Sequence, residues 1–293
     1  MARKKTARQP HPPPRSTTRP WRIILLVVAV ILALASFWFL RSTPPQTESQ
    51  APPPAAAKPI AAPERLKVKV LSTRPHDAGA YTQGLLFHGG SLFESTGLYG
   101  RSSLREVNPE TGEVKRKVDL PRQYFGEGLA VAGDRLIQLT WHEQKAFLYR
   151  LADLQPAGEL RYDGEGWGLC WDGSRLVMSD GSDRLTFRDA QTFAVLGEVR
   201  VTLGGRPVDQ LNELECVEGA VYANVWQTDD IVRIDPASGK VTAVIDASGL
   251  LAPGERWRAE VLNGIAWDPA RKTFLLTGKL WPKMFEVTFV PQP

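Results

Sequence analysis

Gln83-Gly84-Leu85, Glu127-Gly128-Leu129, Trp167-Gly168-Leu169, Asn212-Glu213-Leu214 and Asn263-Gly264-Ile265 are one pattern met five times. A polar or amphipathic residue comes first, an aliphatic residue third, and glycine stands between them in all but the fourth copy. The copies start at 83, 127, 167, 212 and 263, at intervals of 40 to 51 residues, and the longest interval carries extra residues around Pro253 to Arg258. Short β-rich runs surround each copy, divided by turn clusters such as NPETG, WDGS and DPASG, with almost no helical periodicity after Lys67. LREVNPETGEV (104–114) and IVRIDPASGKV (231–241) read as the same strand, turn and strand. A period near 45 residues holding about four strands is that of a propeller blade. The pattern therefore predicts an all-β, five-bladed β-propeller over residues 67–293. The last copy ends on MFEVTFV without an outer strand; KVKVLS (67–72), which alternates and precedes the first copy, is expected to complete it and join the ends of the ring. A sandwich also uses many short strands but does not account for the fivefold period.

In a propeller the innermost strands line the axis, and equivalent residues of successive blades face one another. The first positions form a ring of Gln83, Glu127, Trp167, Asn212 and Asn263. Buried polar groups cost about 1–3 kcal/mol each unless they find partners, and this ring predicts a polar pocket at the mouth of the channel. Fourteen residues on comes a second ring of Gly97, Trp141, Gly181 and Trp226; Lys279 takes its fifth place once the longer turn WDPARKTF is allowed for. Tyr81 and Phe125 lie two residues before Gln83 and Glu127, on the same strand face. The expected site is a small aromatic-walled pocket holding one acid, one amine and several carboxamides, as a ligand site requires. The competing reading of the same residues is a hydrated channel with tryptophans as packing. His142 follows Trp141, and alternation turns it away from the ring.

The first sixty residues differ in composition. Residues 1–22 carry Arg3, Lys4, Lys5, Arg8, Arg15, Arg19 and Arg22 and no acid; residues 23–40 are uncharged and apolar; residues 41–66 are rich in Pro and Ala. An 18-residue apolar run just spans a bilayer, and the basic flank predicts a cytoplasmic N-terminus. Ala33-Leu34-Ala35 has the form of a signal-peptidase site, but the apolar run continues through Leu40, so an uncleaved anchor is expected. The reading is a basic tail (1–22), a single-pass anchor in a bacterial inner membrane (23–40), a Pro/Ala-rich linker (41–66) and an extracytoplasmic propeller. The net charge of +4 hides an acidic domain: residues 1–58 hold nine Lys and Arg and one acid, leaving 27 basic and 31 acidic residues beyond them. The pI of about 9.1 thus gives no reason to expect nucleic acid. Cys170 and Cys216 fall on opposite strand faces in the repeat alignment and are expected to be buried free thiols. His11, His76, His88 and His142 show no zinc-site spacing, and Asp180, Asp183, Asp229 and Asp230 read as turn formers rather than a calcium site. No metal or other cofactor is expected.

At these residues the chain resembles the plant and bacterial type of glutaminyl-peptide cyclotransferase. The matching stretches are YTQGLLF (81–87), STGLYGRSSL (95–104), FGEGL (125–129), LTW (139–141), GWGL (166–169), LNELE (211–215), NVW (224–226), LNGIAWD (262–268) and TGKLWPKMFEV (277–287), in order along nearly the whole domain. Tyr81 stands where that family usually has Phe, and Cys216 and Trp267 where Tyr is common. The resemblance implies a five-bladed propeller and closure of an N-terminal glutamine to pyroglutamate with loss of ammonia. It places active-site positions at Gln83, Phe125, Glu127, Trp141, Trp167, Asn212, Trp226 and Lys279. The chemistry suits those residue types. One carboxyl, assigned to Glu127, moves a proton from the attacking amine to the leaving nitrogen. Lys279, Gln83 or Asn212 stabilises the oxyanion, and Phe125, Trp141, Trp167 and Trp226 bind the substrate. The expected partners are peptides or proteins with N-terminal Gln, acted on by a monomer. A non-catalytic exported propeller binding a peptide or envelope partner, and a calcium-dependent propeller hydrolase, are the alternatives.

Overall fold

The computed structural model describes residues 62–292. The expectations for 1–22 and 23–40, and for most of 41–66, lie outside them; among the described residues no helix is long and apolar enough to cross a membrane. The described residues are nearly all strand and turn. In chain order, β1 (Glu64–Pro75) is followed by β2 (Thr82–His88), β3 (Ser91–Thr96), β4 (Ser103–Val107) and β5 (Val114–Asp119), which form one antiparallel sheet. A second sheet holds β6 (Gly126–Ala132), β7 (Arg135–Thr140), β8 (Lys145–Arg150) and β9 (Pro156–Arg161). A third holds β10 (Leu169–Trp171), β11 (Leu176–Met178), β12 (Arg184–Arg188) and β13 (Val195–Arg200). After the short pair β14 (Thr202–Leu203) and β15 (Arg206–Pro207), a fourth group runs β16 (Leu211–Val217), β17 (Ala220–Val225), β18 (Asp230–Asp235) and β19 (Lys240–Asp246). The last group is β20 (Leu262–Asp268), β21 (Thr273–Gly278) and β22 (Lys283–Pro291).

β1 supplies that group's outer strand, antiparallel to β22, with Val68 opposite Phe289 and Thr73 opposite Phe285. It is longer than the 67–72 stretch read from alternation. Its first residues, Glu64 to Lys67, also pair in parallel with β19, which joins the last two groups into one continuous sheet. The first strands neighbour one another in a closed cycle: β2, β6, β10, β16, β20 and again β2.

Apolar cores lie between successive groups rather than within them. Leu86, Phe93 and Leu104 pack on Leu129, Leu136 and Tyr149 across the first and second. Leu85, Leu92 and Val107 pack on Ala266, Leu275 and Met284 across the first and last, which closes the cycle. Burial grades outward: β6 is buried almost throughout, whereas β9, the fourth strand of its sheet, is mostly exposed.

Cys170 and Cys216 are joined in a disulfide, with Cα atoms 5.5 Å apart. This corrects the expectation of free thiols. Alternation does put the two on opposite faces of their own strands, but neighbouring sheets meet face to face, so opposite faces of β10 and β16 look at each other. The bond closes a loop across the third and fourth groups; such closure typically stabilises by about 2–4 kcal/mol.

The axis is crowded, and the second position of each repeat shows how. A Cβ on Gly128 would lie 2.6 Å from the Gly168 carbonyl carbon and the Leu169 nitrogen, so only glycine lets β6 approach β10 this closely. Glu213 occupies the same position in the fourth copy. Its carboxyl accepts the Ile265 N–H at 2.8 Å and the Leu85 N–H at 3.2 Å, tying β16 to β20 and β2. Burial pushes its pKa well above the usual carboxylate range, and the nearby Glu215 acts in the same direction. Truncating Glu213 leaves two buried donors unpaired, at about 1–3 kcal/mol each. In urea denaturation Glu213→Ala is expected to lower stability by about 2–5 kcal/mol, while Glu213→Gln, which keeps an acceptor, loses less than half of that.

Candidate active site

Eight side chains line a pocket of about 190 Å³: Tyr81, Gln83, Phe125, Glu127, Trp141, Trp167, Trp226 and Lys279. Seven of the eight expected site residues are among them, with Tyr81 added. Asn212 does not line the pocket. It is buried, its backbone carbonyl accepts the Ser179 hydroxyl at 2.6 Å, and its side-chain Oδ1 has no partner among the described residues. A larger polar depression of about 400 Å³ beside Asp163 and Arg188 contains none of the ring residues.

A chain of amides fixes the floor of the pocket. Asn263 Nδ2 donates to the Thr82 backbone carbonyl at 3.0 Å, and a carbonyl can only accept. The same NH₂ then donates to Gln83 Oε1 at 3.2 Å. Gln83 must therefore turn its own NH₂ toward Glu127, and Nε2 lies 2.8 Å from Oε1 of that carboxyl. One N–H of Gln83 is committed to Glu127, and the second has no partner among the described residues.

Glu127 and Lys279 are each only 4 % exposed. Burial pushes Glu127 well above the ordinary carboxylate range; Lys279 opposes the shift, and Glu165 and Glu143 reinforce it. Burial lowers Lys279 in turn, against the pull of Glu127 and Glu260. In both cases loss of water outweighs the attraction of the opposite charge. The Lys279 ammonium position lies 5.0 Å from the centre of the Tyr81 ring.

Interlocking edges hold the aromatic walls. Trp167 meets Trp226 edge to face at 5.6 Å, and Phe125 meets Trp141 at 5.5 Å and Tyr81 at 6.1 Å. The second-ring glycines leave room for these rings: a Cβ on Gly97 would run into Phe125, and one on Gly181 into Trp167.

Three carboxylates at the mouth went unread in the sequence. Glu165 Oε2 accepts both the Trp141 and Trp167 indole N–H groups, at 2.8 and 2.9 Å. Glu260 accepts the Tyr81 hydroxyl at 2.9 Å, and Glu143 accepts that of Tyr99 at 2.9 Å. Glu165 lies two residues before Trp167 in Gly-Glu-Gly-Trp-Gly (164–168), a same-face spacing that could have marked it. Glu143 and Glu260 carry no such signal, lying in loops between copies. His142 does not line the pocket, but it follows the end of β7 in a bend where strand alternation no longer applies, and it stacks on Trp141 at 3.8 Å with Nδ1 3.4 Å from Glu165. Among the described residues no three His, Cys, Asp or Glu side chains converge as metal ligands do.

Fold and site together define a class: an all-β ring of four-stranded units whose axis opens on a small aromatic pocket with a buried acid and a buried amine. The family model described as glutamine cyclotransferase matches residues 43–289. A glutaminyl-peptide cyclotransferase of Arabidopsis thaliana is 44% identical over 227 residues, covering 75% of this chain and 71% of the relative. The crystal structure of Myxococcus xanthus glutaminyl cyclase superposes with a TM-score of 0.72 at 43% identity, over 79% of this chain and 100% of that one. The chain belongs to the glutamine cyclotransferase family.

Proposed function

We propose that this protein converts an N-terminal glutamine of peptides or proteins to pyroglutamate, releasing ammonia, with Glu127 as the proton carrier. The observation that carries the reading is the Gln83–Glu127 contact at 2.8 Å on the floor of an aromatic pocket that also holds Lys279. Membership of the family supports the reaction itself.

The substrate's neutral α-amine attacks its own γ-carboxamide carbon. A C–N bond forms, the carbonyl becomes an oxyanion, and the bond to the amide nitrogen then breaks. Glu127, protonated in its dry site, gives a proton to the departing nitrogen and recovers one from the attacking nitrogen. Ammonia leaves and the acid is restored, so one proton has moved and no charge is created. Lys279 and the free N–H of Gln83 face the oxyanion. Asn212 lies outside the lining, and its side chain takes no part in the step. Phe125, Trp141, Trp167 and Trp226 exclude water and hold the side chain folded for closure, which recovers much of the entropy the ring costs. No step is routed through a metal.

The five four-stranded groups are read as five blades, with β1 completing the fifth. The basic tail and the apolar run of residues 23–40 support an anchored, extracytoplasmic enzyme with its N-terminus in the cytoplasm.

Ammonia release from Gln-Ala by the purified full-length chain tests the reading. Glu127→Gln keeps the hydrogen bond from Gln83 only in part and cannot shuttle a proton; its kcat is expected to fall about 10²- to 10⁴-fold, with activity of the wild type retained in EDTA. A folded wild type that releases no ammonia would leave a binding propeller as the better account.

The pH profile follows from the pocket's charges. Activity rises as the substrate ammonium, with a pKa of about 8, loses its proton. It falls as Glu127, which burial holds well above the ordinary carboxylate range, loses its own. Lys279 is a cation that favours the carboxylate, so Lys279→Met is expected to move the alkaline limb to higher pH while lowering kcat about 10²-fold. A limb that stays in place would assign it to another group.

A further inference from the structure

The longest repeat interval has a role that the cyclisation step does not use. Its extra residues pass through the 3₁₀ turn Pro253–Glu255 and form one wall of a groove of about 500 Å³. The other wall is the turn of residues 226–229 after β17. Tyr81 and Trp226 line both this groove and the aromatic pocket, so the two cavities share walls. The insert is pinned to the segment that carries Lys279: the Glu260 N–H donates to the Lys279 carbonyl at 2.8 Å, the Lys279 N–H to the Val261 carbonyl at 3.0 Å, and Trp281 Nε1 to the Glu260 carbonyl at 2.8 Å. Across the groove Arg256 Nη2 lies 3.8 Å from Asp229 Oδ2.

A peptide with its first side chain in the closed aromatic pocket must lead its remaining residues out past the rim. We propose that this groove holds the second and third residues of the substrate peptide and favours a basic side chain there over an acidic one. The inference rests on the cyclase reading above. It is carried by the shared walls, by the fixed attachment of the insert to the Lys279 segment, and by charge: the groove presents two carboxylates, Asp229 and Glu260, against the single guanidinium of Arg256. Gln227 offers an amide to the peptide backbone from the turn.

Steady-state kinetics of the full-length chain on glutamine amide, Gln-Ala-Ala, Gln-Lys-Ala and Gln-Glu-Ala provide the test. The tripeptides are expected to exceed glutamine amide in kcat/KM by about tenfold, as a modest binding gain implies. Gln-Lys-Ala should exceed Gln-Glu-Ala by about threefold, mainly through KM and less so at high salt. Glu260→Gln should narrow that ratio and Arg256→Glu should widen it. Each ratio is taken within one preparation, so a partly unfolded variant does not distort it. Equal kcat/KM for the amide and the tripeptides, or a Lys-to-Glu ratio unmoved by both variants, would overturn the groove assignment. Absence of turnover on every substrate, the amide included, would overturn the cyclase reading itself.

Discussion

Everything in this domain depends on the crowding of first strands at one axis. Strands β2, β6, β10, β16 and β20 approach so closely that most second positions admit no side chain, as the contacts of a Cβ on Gly128 show. The polar residues they carry are almost fully buried. Several of them pair with one another, Asn263 with Thr82 and Gln83, Gln83 with Glu127, and Glu213 with the Leu85 and Ile265 amides, whereas Asn212 Oδ1 and Asn263 Oδ1 have no partner among the described residues. Burial also sets their charge. Glu213 is pushed well above the carboxylate range and Glu215, further along the same strand, up to about 8. Glu127 belongs to this series, and what distinguishes it is position, at the end of the channel where the aromatic pocket opens.

The same dehydration that makes the axis costly makes it useful. An exposed glutamate at neutral pH has no proton to give. Beside Lys279 alone, the attraction of the ammonium would hold Glu127 ionised; burial works against both charges, and Glu143 and Glu165 add to the effect on the acid. The walls serve two ends, since the rings that exclude water also shape the space in which a glutamine side chain must fold back on its own amine. The rim carboxylates fix those rings through the Trp141, Trp167 and Tyr81 donors, which keeps the aromatic cage in one arrangement.

Much of this was legible because a repeat converts sequence positions into places on a ring. The recurrence of Gln83-Gly84-Leu85 located the first strands, and allowing for one longer turn brought Lys279 beside Glu127, 152 positions away in the chain, in the same pocket. Reading along single strands failed where the structure depends on contacts between them. Cys170 and Cys216 looked incompatible by alternation within a strand, yet the faces of adjacent sheets are what meet. Asn212 shares its ring position with Glu127 but does not line the pocket. Glu143 and Glu260 lie in connections whose course no periodicity describes, and Glu213 read as an odd member of a glycine series until its two backbone partners were seen.

The protonation of Glu127 in the resting enzyme is the claim on which the mechanism turns. Infrared difference spectroscopy between the wild type and Glu127→Gln at neutral pH measures it directly, because Glu213 and Glu215 are common to both and cancel. The account predicts a carboxylic-acid C=O stretch present in the wild type and missing from the variant. A difference spectrum containing only carboxylate bands would contradict it, and would make Glu127 the anionic partner of Lys279 instead of a proton donor.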